Sequence, residues 1–296
     1  MSQHFTRPDQ KQQRLAIGPL NNEPEQTQKA FSSFNLHFSP IPSPTPSDWL
    51  SCHIEKGQSF SKFHQSCKPP TKSKKNFYIQ PLNHNLPSHT LSLLLNFAQA
   101  FFPKNISFTL LDPLNLSALN IKQRTNSGIT QYNAGAILRK LQENLNINAY
   151  AMIGVMADDI YHNEQNNFVF GLGSAAIKTG VFSFARYDEA FYGNDENVEL
   201  LEFRAVKVMI HEMCHMFGMA HCIYFHCLMN GSNHIGETDA KPFWLCPVCA
   251  RKVCYVLGLE VAEWYSRILD IIQRAGVYFG PAGEWYSERL KYITSK

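Results

Sequence analysis

The spacing of apolar residues along the chain predicts where its strands and helices lie. Between residues 77 and 184, apolar runs of strand length alternate with segments in which apolar residues recur every three or four positions. This order is typical of an alternating arrangement of strands and helices. The short runs predict five strands, at residues 77–79, 106–111, 149–156, 167–171 and 180–184. The periodic segments predict helices at residues 89–102, 130–145, 200–217, 248–274 and 284–293.

The first 76 residues lack this periodicity. Residues 1 to 45 are rich in Gln, Asn, Pro and Ser, and prolines at positions 40, 42, 44 and 46 exclude a helix there, because proline removes a backbone donor and fixes φ. We therefore predict a poorly ordered, loosely packed arm over residues 1–46. Residues 52–76 are typical of a second loop.

Composition indicates a folded core and argues against two kinds of partner. Hydrophobic residues make up 44% of the 296 residues and charged residues 17%, which is ordinary for a globular protein. The formal net charge of +3 gives no reason to expect nucleic acid or a membrane surface as a partner. No secretory signal is visible at residues 1–20, and the apolar stretch at 91–102 is too short to span a bilayer. We expect an intracellular, cytoplasmic or nuclear location, where disulfides rarely persist.

Three histidines and a glutamate within eleven residues predict a metal site. His211 and His215 lie four residues apart in the predicted helix at 200–217, so both imidazoles face the same way, about one turn apart. Gly218 can adopt the left-handed conformation that ends a helix, after which His221 reaches back as a third ligand. Three neutral imidazoles with an open fourth position are how catalytic zinc is held.

Glu212 lies beside the first of these ligands and is the candidate general base. Zinc supplies a polarised water molecule, and a carboxylate in this position takes its proton and later passes it to the leaving amine. Two alternatives compete with this interpretation: a buried helix whose histidines satisfy backbone groups, and a zinc site without catalysis. Glu212 argues against the second, because a purely structural site is usually closed by four ligands.

Six of the eight cysteines fall between residues 214 and 254, and four of them have the spacing of a second metal site. Two pairs, Cys222 with Cys227 and Cys246 with Cys249, supply four thiolates, which form a closed and therefore structural tetrahedral zinc site. The alternatives are disulfide bonds, which the expected compartment disfavours, and replacement of one thiolate by His226. Because Cys222 directly follows His221, one zinc ion would brace the loop that carries the other ion's third ligand. The remaining cysteines have no predicted ligand role: Cys52, Cys67, Cys214 and Cys254.

At these positions the sequence resembles the archaemetzincins, a family of zinc metallopeptidases in the metzincin clan. Their signature joins the histidine motif to a cysteine pair, a methionine and a distal Cys-x-x-Cys. The flanking segments 167–171, 182–187 and 228–234 resemble the eukaryotic branch, and the resemblance spans roughly residues 47–275. Every element of the signature is present: His211, Glu212, His215, Gly218, His221, Cys222, Cys227, Met229, Cys246 and Cys249.

The resemblance implies an α+β, metzincin-like fold. Its parts are a mixed, twisted five-stranded sheet with helices, an active-site helix, and a smaller C-terminal helical part that carries the four-cysteine zinc site. The implied metallopeptidase domain covers residues 47–275, with an upper subdomain to about 218, a lower subdomain over 219–275, and a helical tail over 276–296. The resemblance also implies two Zn²⁺ ions per chain, one catalytic and one structural. Met229 would form a Met-turn as a floor residue, and residues 168–171 an edge strand along which a peptide lies.

Two functions are consistent with these residues. The first is a zinc metallopeptidase that hydrolyses peptide bonds; the resemblance implies narrow, aminopeptidase-like activity on small peptides. The second is a non-catalytic, zinc-stabilised protein-interaction module, which draws support from the Cys246–Cys249 pair because that pair, taken alone, could belong to a zinc ribbon. Binding to nucleic acid would need a basic face with aromatic residues, and only Lys241, Arg251 and Lys252 are basic near the cysteines. We therefore expect a peptide substrate as the partner.

Overall fold

The computed structural model describes residues 5–32, 36–165 and 167–295. In chain order its helices are α1 (Gln10–Ile17), α2 (Glu25–Ser32), α3 (Trp49–Cys52), α4 (Phe60–Ser66), α5 (Ser88–Phe101), α6 (Ala134–Glu143), α7 (Val198–Met216), α8 (Ile235–Ala240), α9 (Pro247–Leu257), α10 (Val261–Ile272) and α11 (Gly280–Thr294). The strands are β1 (Asn76–Pro81), β2 (Ser107–Leu110), β3 (Gln123–Asn126), β4 (Ile129–Asn133), β5 (Ala149–Met156), β6 (Asp159–Tyr161), β7 (Gly171–Ser174) and β8 (Thr179–Ser183). Short 3-10 helices lie at Leu116–Leu119, Glu189–Tyr192 and Val277–Phe279.

The chain divides into two compact units. One, the sheet unit, is Pro69–Phe217. The other, the cysteine unit, comprises the described parts of Met1–Lys68 and Gly218–Lys296. The predicted domain boundaries at residues 46 and 275 stay predictions, although the segments outside them belong to the cysteine unit.

The sheet unit is built on a mixed five-stranded sheet, as the sequence predicts. Its strand order is β2-β1-β5-β8-β7, with parallel neighbours except for β7, which pairs antiparallel with β8 at the edge. Every residue of β5 is buried, which is usual for a central parallel strand covered on both faces. The apolar residues of α6 pack on the face that includes Val181, and Met216 of α7 lies against Gly180 on the opposite face.

For three of the predicted elements, the structure gives the reason why the observed bounds differ. The predicted helix at 130–145 begins at Ala134, because residues 129–133 pair in a second, three-stranded sheet of order β3-β4-β6. The predicted edge strand at 167–171 is wrong in its bounds, since pairing with β8 occurs over Gly171–Ser174. The predicted helix at 248–274 is two helices, because Gly258 ends the first with a φ of +64°.

The N-terminal region is packed, contrary to the prediction of a loose, poorly ordered arm. Asp9 starts α1 with a reciprocal capping box to Gln12, a local signal that the polar composition obscures. Apolar side chains of α1 and α2 are buried, including Ile17 and Phe31. The fully buried Arg289 of α11 donates hydrogen bonds to the backbone carbonyls of Ala30, in α2, and of Leu36.

Candidate active-site helix and zinc sites

The helix that carries the predicted site, α7, begins and ends at clear local signals. The Asn197 side chain caps its first turn, accepting a hydrogen bond from the Leu200 N–H at 3.0 Å. The helix ends at Met216, and the ring of Phe217 stacks on Tyr150 with centroids 5.1 Å apart. Gly218 follows with a φ of +93°, so it has the positive φ that the sequence predicts at the end of the helix.

His211 and His215 present their ring nitrogens to the same point. The two Nε2 atoms lie 3.0 Å apart, and His211 is only 6% exposed. Two nitrogens bound to one tetrahedral zinc ion, each about 2.0–2.1 Å from it, lie about 3.3 Å apart. The pair therefore has close to the separation that a shared ion requires.

Glu212 is buried against the edge strand β7 at two glycines. A Cβ atom added to Gly171 would lie 2.8 Å from Glu212 Oε1, and one added to Gly173 would lie 3.0 Å from Oε2. Alternate residues of a strand face the same side, so both glycines turn their bare backbone to this carboxylate. Sequence reasoning missed this contact, for which the available signal was the Gly-x-Gly spacing at residues 171–173.

If Glu212 is the general base that the motif predicts, replacing Gly171 by Ala is expected to lower kcat for hydrolysis by about 10–100-fold, because the new methyl group displaces the carboxylate and small displacements at a reacting centre are costly. Steady-state kinetics, with melting temperature as a check on folding, measure the effect. The matched control is Gly135→Ala in α6, where an added Cβ would meet its nearest atom at an ordinary 3.5 Å. Wild-type kcat in a folded G171A variant would show that the carboxylate tolerates the displacement.

Tyr187 is a second residue near Glu212 that sequence reasoning missed. Its side chain is fully buried, its ring stacks on Phe170, and its hydroxyl has no hydrogen-bond partner among the described residues. Burial, and then the negative charge of Glu212, raise the pKa of the Tyr187 phenol well above its ordinary value. Tyr187 therefore stays protonated and neutral throughout the physiological pH range.

The four predicted cysteine ligands come together in the cysteine unit. All four Sγ atoms lie within 4.8 Å of one another, and Cys222 Sγ is 3.6 Å from Cys246 Sγ. Four sulfurs bound to zinc at about 2.3 Å in a tetrahedron lie about 3.8 Å apart. All eight cysteines are free thiols, which contradicts the disulfide alternative, and the cluster contains no His226 within the described part of the chain.

The surroundings of these thiols favour a bound cation. The backbone N–H groups of Met229 and Cys246 point at Cys227 Sγ, at 3.4 and 3.2 Å. Burial, followed by hydrogen bonds with the other three thiols, raises the pKa of Cys246 well above its ordinary value. Four buried thiols so close together do not all ionise unless a positive charge lies among them, and a divalent ion supplies that charge.

The loop after Gly218 is held by its own polar groups. The buried Asn230 side chain donates to the carbonyls of Cys222 and Phe225, at 2.7 and 2.9 Å, and accepts from the Cys227 N–H at 2.8 Å. Met229 is fully buried, and its carbonyl accepts from the Cys222 N–H at 2.7 Å. Hydrogen bonds thus hold the loop around the cysteines, while the role of Met229 as a Met-turn stays a prediction.

His221, in the same loop, contacts two residues from far earlier in the chain. Its Nδ1 lies 2.7 Å from Glu55 Oε1, and its ring meets the Trp49 indole edge to face, with centroids 4.9 Å apart. Sequence reasoning missed both partners, because no local pattern links positions 166 residues apart.

The family model of Peptidase family M54 matches residues 116–254. Archaemetzincin-2 of Macaca fascicularis is 31% identical over 275 residues, which cover 81% of this chain and 76% of that protein. Archaemetzincin of Thermococcus kodakarensis is 40% identical over 132 residues, covering 44% of this chain and 69% of that protein.

Among solved structures, a zinc-dependent peptidase from Methanocorpusculum labreanum has a similar fold. Its TM-score is 0.50 at 21% identity, and the match covers 60% of this chain and 99% of that one. None of the described helices is both long and apolar enough to cross a membrane. The length and identity of the match to archaemetzincin-2 establish that this chain belongs to the archaemetzincins, a family of zinc metallopeptidases.

Proposed function

We propose that His211, His215 and His221 together bind one zinc ion, and that Glu212 is the general base for peptide hydrolysis at that ion. The observation that carries the proposal is the 3.0 Å approach of the two Nε2 atoms on the helix that also carries the buried Glu212 carboxylate. His221 joins them through the motif, because it follows His215 by only six residues with Gly218 between them.

The residues of this site suit the chemistry of hydrolysis. A bound zinc ion supplies Lewis acidity, which lowers the pKa of water and polarises a carbonyl group. The Glu212 carboxylate takes a proton from the attacking water and passes it to the leaving amine. Glu212 lies on α7, and its carboxylate packs against the backbone of β7. The carboxylate therefore needs little reorganisation during the transfer.

The substrate we propose is a short peptide in an extended conformation, bound along β7. This strand pairs with β8 on one side and stands at the edge of the five-stranded sheet. An extended peptide can add to such an edge through main-chain hydrogen bonds. Addition at Gly171–Ser174 places the peptide on the strand that backs Glu212. The resemblance to the family favours aminopeptidase-like cleavage of small peptides.

The four-cysteine cluster is proposed to hold a second, structural zinc ion. Its support is the closed set of four sulfurs at zinc-like separation, with no open position for water. Met229 is fully buried in the loop between Cys227 and α8. It is proposed to form the Met-turn of a metzincin-like site. The chain would then hold two zinc ions, one catalytic and one structural.

Zinc stoichiometry tests both sites at once. We expect two zinc ions per wild-type chain and one in His215→Ala, because the remaining imidazoles bind too weakly to retain the catalytic ion while the four thiolates keep theirs. Elemental analysis with native mass spectrometry measures the count. One ion in the wild type, or two in H215A, would contradict the assignment.

A peptide-library screen then separates the two functions compared above. Cleavage that is lost when the N-terminus is acetylated would support an aminopeptidase. Two bound zinc ions with no cleavage of any peptide would favour the interaction module instead.

A further inference from the structure

An N-terminal stretch, residues 49–58, lies against the loop that carries the third proposed zinc ligand. We call it the brace segment. We propose that Glu55 of this segment, together with Trp49, positions His221 for zinc binding, so that residues outside the histidine motif complete the catalytic metal site. The inference rests on the proposed function, because it takes His221 as a ligand.

Glu55 makes the contact that selects the tautomer of His221, that is, which ring nitrogen carries the proton. Its Oε1 lies 2.7 Å from His221 Nδ1 and also accepts the Trp49 indole N–H at 2.9 Å. An ionised carboxylate only accepts hydrogen bonds, so Nδ1 must carry the proton. In the neutral imidazole the Nε2 lone pair is then left for a metal, which is the usual arrangement behind a zinc-bound histidine.

Trp49 fixes the orientation of both groups. Its indole stacks on His53, with centroids 3.7 Å apart, and meets the His221 ring at an angle of 80°. A Cβ atom added to Gly231 would overlap the indole ring, so this glycine leaves the space that Trp49 fills. The indole therefore limits rotation of the His221 ring from one side while Glu55 holds its Nδ1.

The backbone around His221 is held by the end of the brace segment. The Gln58 side-chain amide donates to the Gly218 carbonyl at 2.9 Å and accepts from the Ala220 N–H at 3.1 Å. Lys252 of α9 in turn donates to Gln58 Oε1 at 2.9 Å. The Gln58 side-chain amide thus makes one donor and one acceptor contact with the loop backbone immediately before His221.

Gly57 permits this close approach. It has a φ of +65°, and an added Cβ atom would lie 2.8 Å from Ile223 and from the Tyr224 hydroxyl. The brace segment therefore follows the loop on both sides of His221, before it through Gln58 and after it through Gly57. A residue with a side chain at position 57 would therefore need a strained backbone and a shift of the loop.

The competing explanation is that the Glu55–His221 pair only anchors the N-terminal region. Zinc affinity, measured by competition with a chelator on the full chain, separates the two roles. We expect Glu55→Ala to weaken one of the two zinc sites by about 10–100-fold, the usual effect of removing a partner behind a metal-bound histidine. The four-cysteine site, in the same unit, serves as the internal reference and should not change.

Two further variants sharpen the test. Glu55→Gln keeps an Oε1 acceptor for both His221 and Trp49, so its zinc affinity should lie closer to wild type than to E55A. Glu237→Ala is the matched control, because the Glu237 carboxylate accepts the Trp49 backbone N–H at 3.0 Å and so supports the same segment from another side. We expect E237A to lower the melting temperature and leave zinc affinity unchanged.

Each outcome decides the question. Unchanged zinc affinity in E55A, or equal weakening in E237A, would overturn the positioning role. His221→Ala distinguishes that failure from failure of the proposed function: if H221A keeps the catalytic zinc at wild-type affinity, His221 is not a ligand at all. If E55A does not fold, Glu55→Met replaces it, because Met retains the side-chain volume without an acceptor, and the same affinities decide.

Discussion

Replacing Glu212 by Gln is expected to lower kcat for peptide hydrolysis by about 10²–10⁴-fold, the usual contribution of a general acid–base residue. Gln has the same shape, so it fits against Gly171 and Gly173 without displacing β7. It has no basic carboxylate, and so it takes no proton from water. Zinc content should stay at the wild-type value, because Glu212 lies outside the proposed ligand set. Steady-state kinetics on a cleavable peptide and elemental analysis measure the two quantities.

A matched variant on the same helix controls for general damage. Glu202 of α7 accepts a hydrogen bond from the Thr90 hydroxyl at 2.8 Å, and a Gln at this position keeps an acceptor for it. Glu202→Gln should therefore retain wild-type kcat. Undiminished turnover in E212Q would remove Glu212 from the chemistry. Loss of zinc in E212Q would mean instead that its carboxylate supports the metal, and the role as a base would need to be reassigned.

The histidine and cysteine motifs were predictable because their geometry is local. Residues four apart on a helix face the same way whatever the rest of the chain does, so His211 and His215 could be paired from spacing alone. The same holds for Cys246 and Cys249, which lie at the N-terminal end of α9. Short-range spacing fixes these distances: the Nε2 atoms of His211 and His215 lie 3.0 Å apart, and the four cysteine sulfurs lie within 4.8 Å of one another.

The edge strand was misplaced because strand propensity is not strand pairing. Phe168 and Phe170 have the side chains of a typical strand, yet their rings pack on each other and on their surroundings: the Arg186 guanidinium lies 3.8 Å from the Phe168 ring centroid. Ladder pairing begins at Gly171, where the bare backbone passes Glu212. Propensity scales disfavour glycine in strands, so the part of this strand that contacts Glu212 carried the weakest signal.

Glu55 and Trp49 were out of reach for a different reason. Their contacts with His221 join segments 166 and 172 residues apart, and no periodicity or spacing encodes such a pair. The polar, proline-rich composition of the first 46 residues also suggested an arm without a packed role. The burial of Ile17 and Phe31 shows that a polar average composition can hide a few apolar positions that pack.

Replacing Cys249 by Ser is expected to cost the cysteine unit the proposed structural zinc ion and much of its stability. Structural zinc sites have apparent binding free energies of about 10–16 kcal/mol, which is as large as the whole stability of a typical domain. Cys249 lies in the first turn of α9, and its cluster ties that helix to the loop of residues 222–227. Thermal unfolding with and without a strong chelator, together with zinc counting, measures the loss.

Cys254→Ala is the matched control, because Cys254 is also a buried free thiol of α9 but lies outside the cluster. It should keep both zinc ions and lose only about 1–2 kcal/mol of its free energy of unfolding, as expected for a small cavity in a core.

The comparison also tests how the two proposed metal sites are coupled. His221 directly precedes Cys222, so a loop released in C249S should also lose the catalytic ion, and peptide hydrolysis with it. A C249S variant that keeps one zinc ion and its activity would show that the histidine site forms without the cysteine cluster.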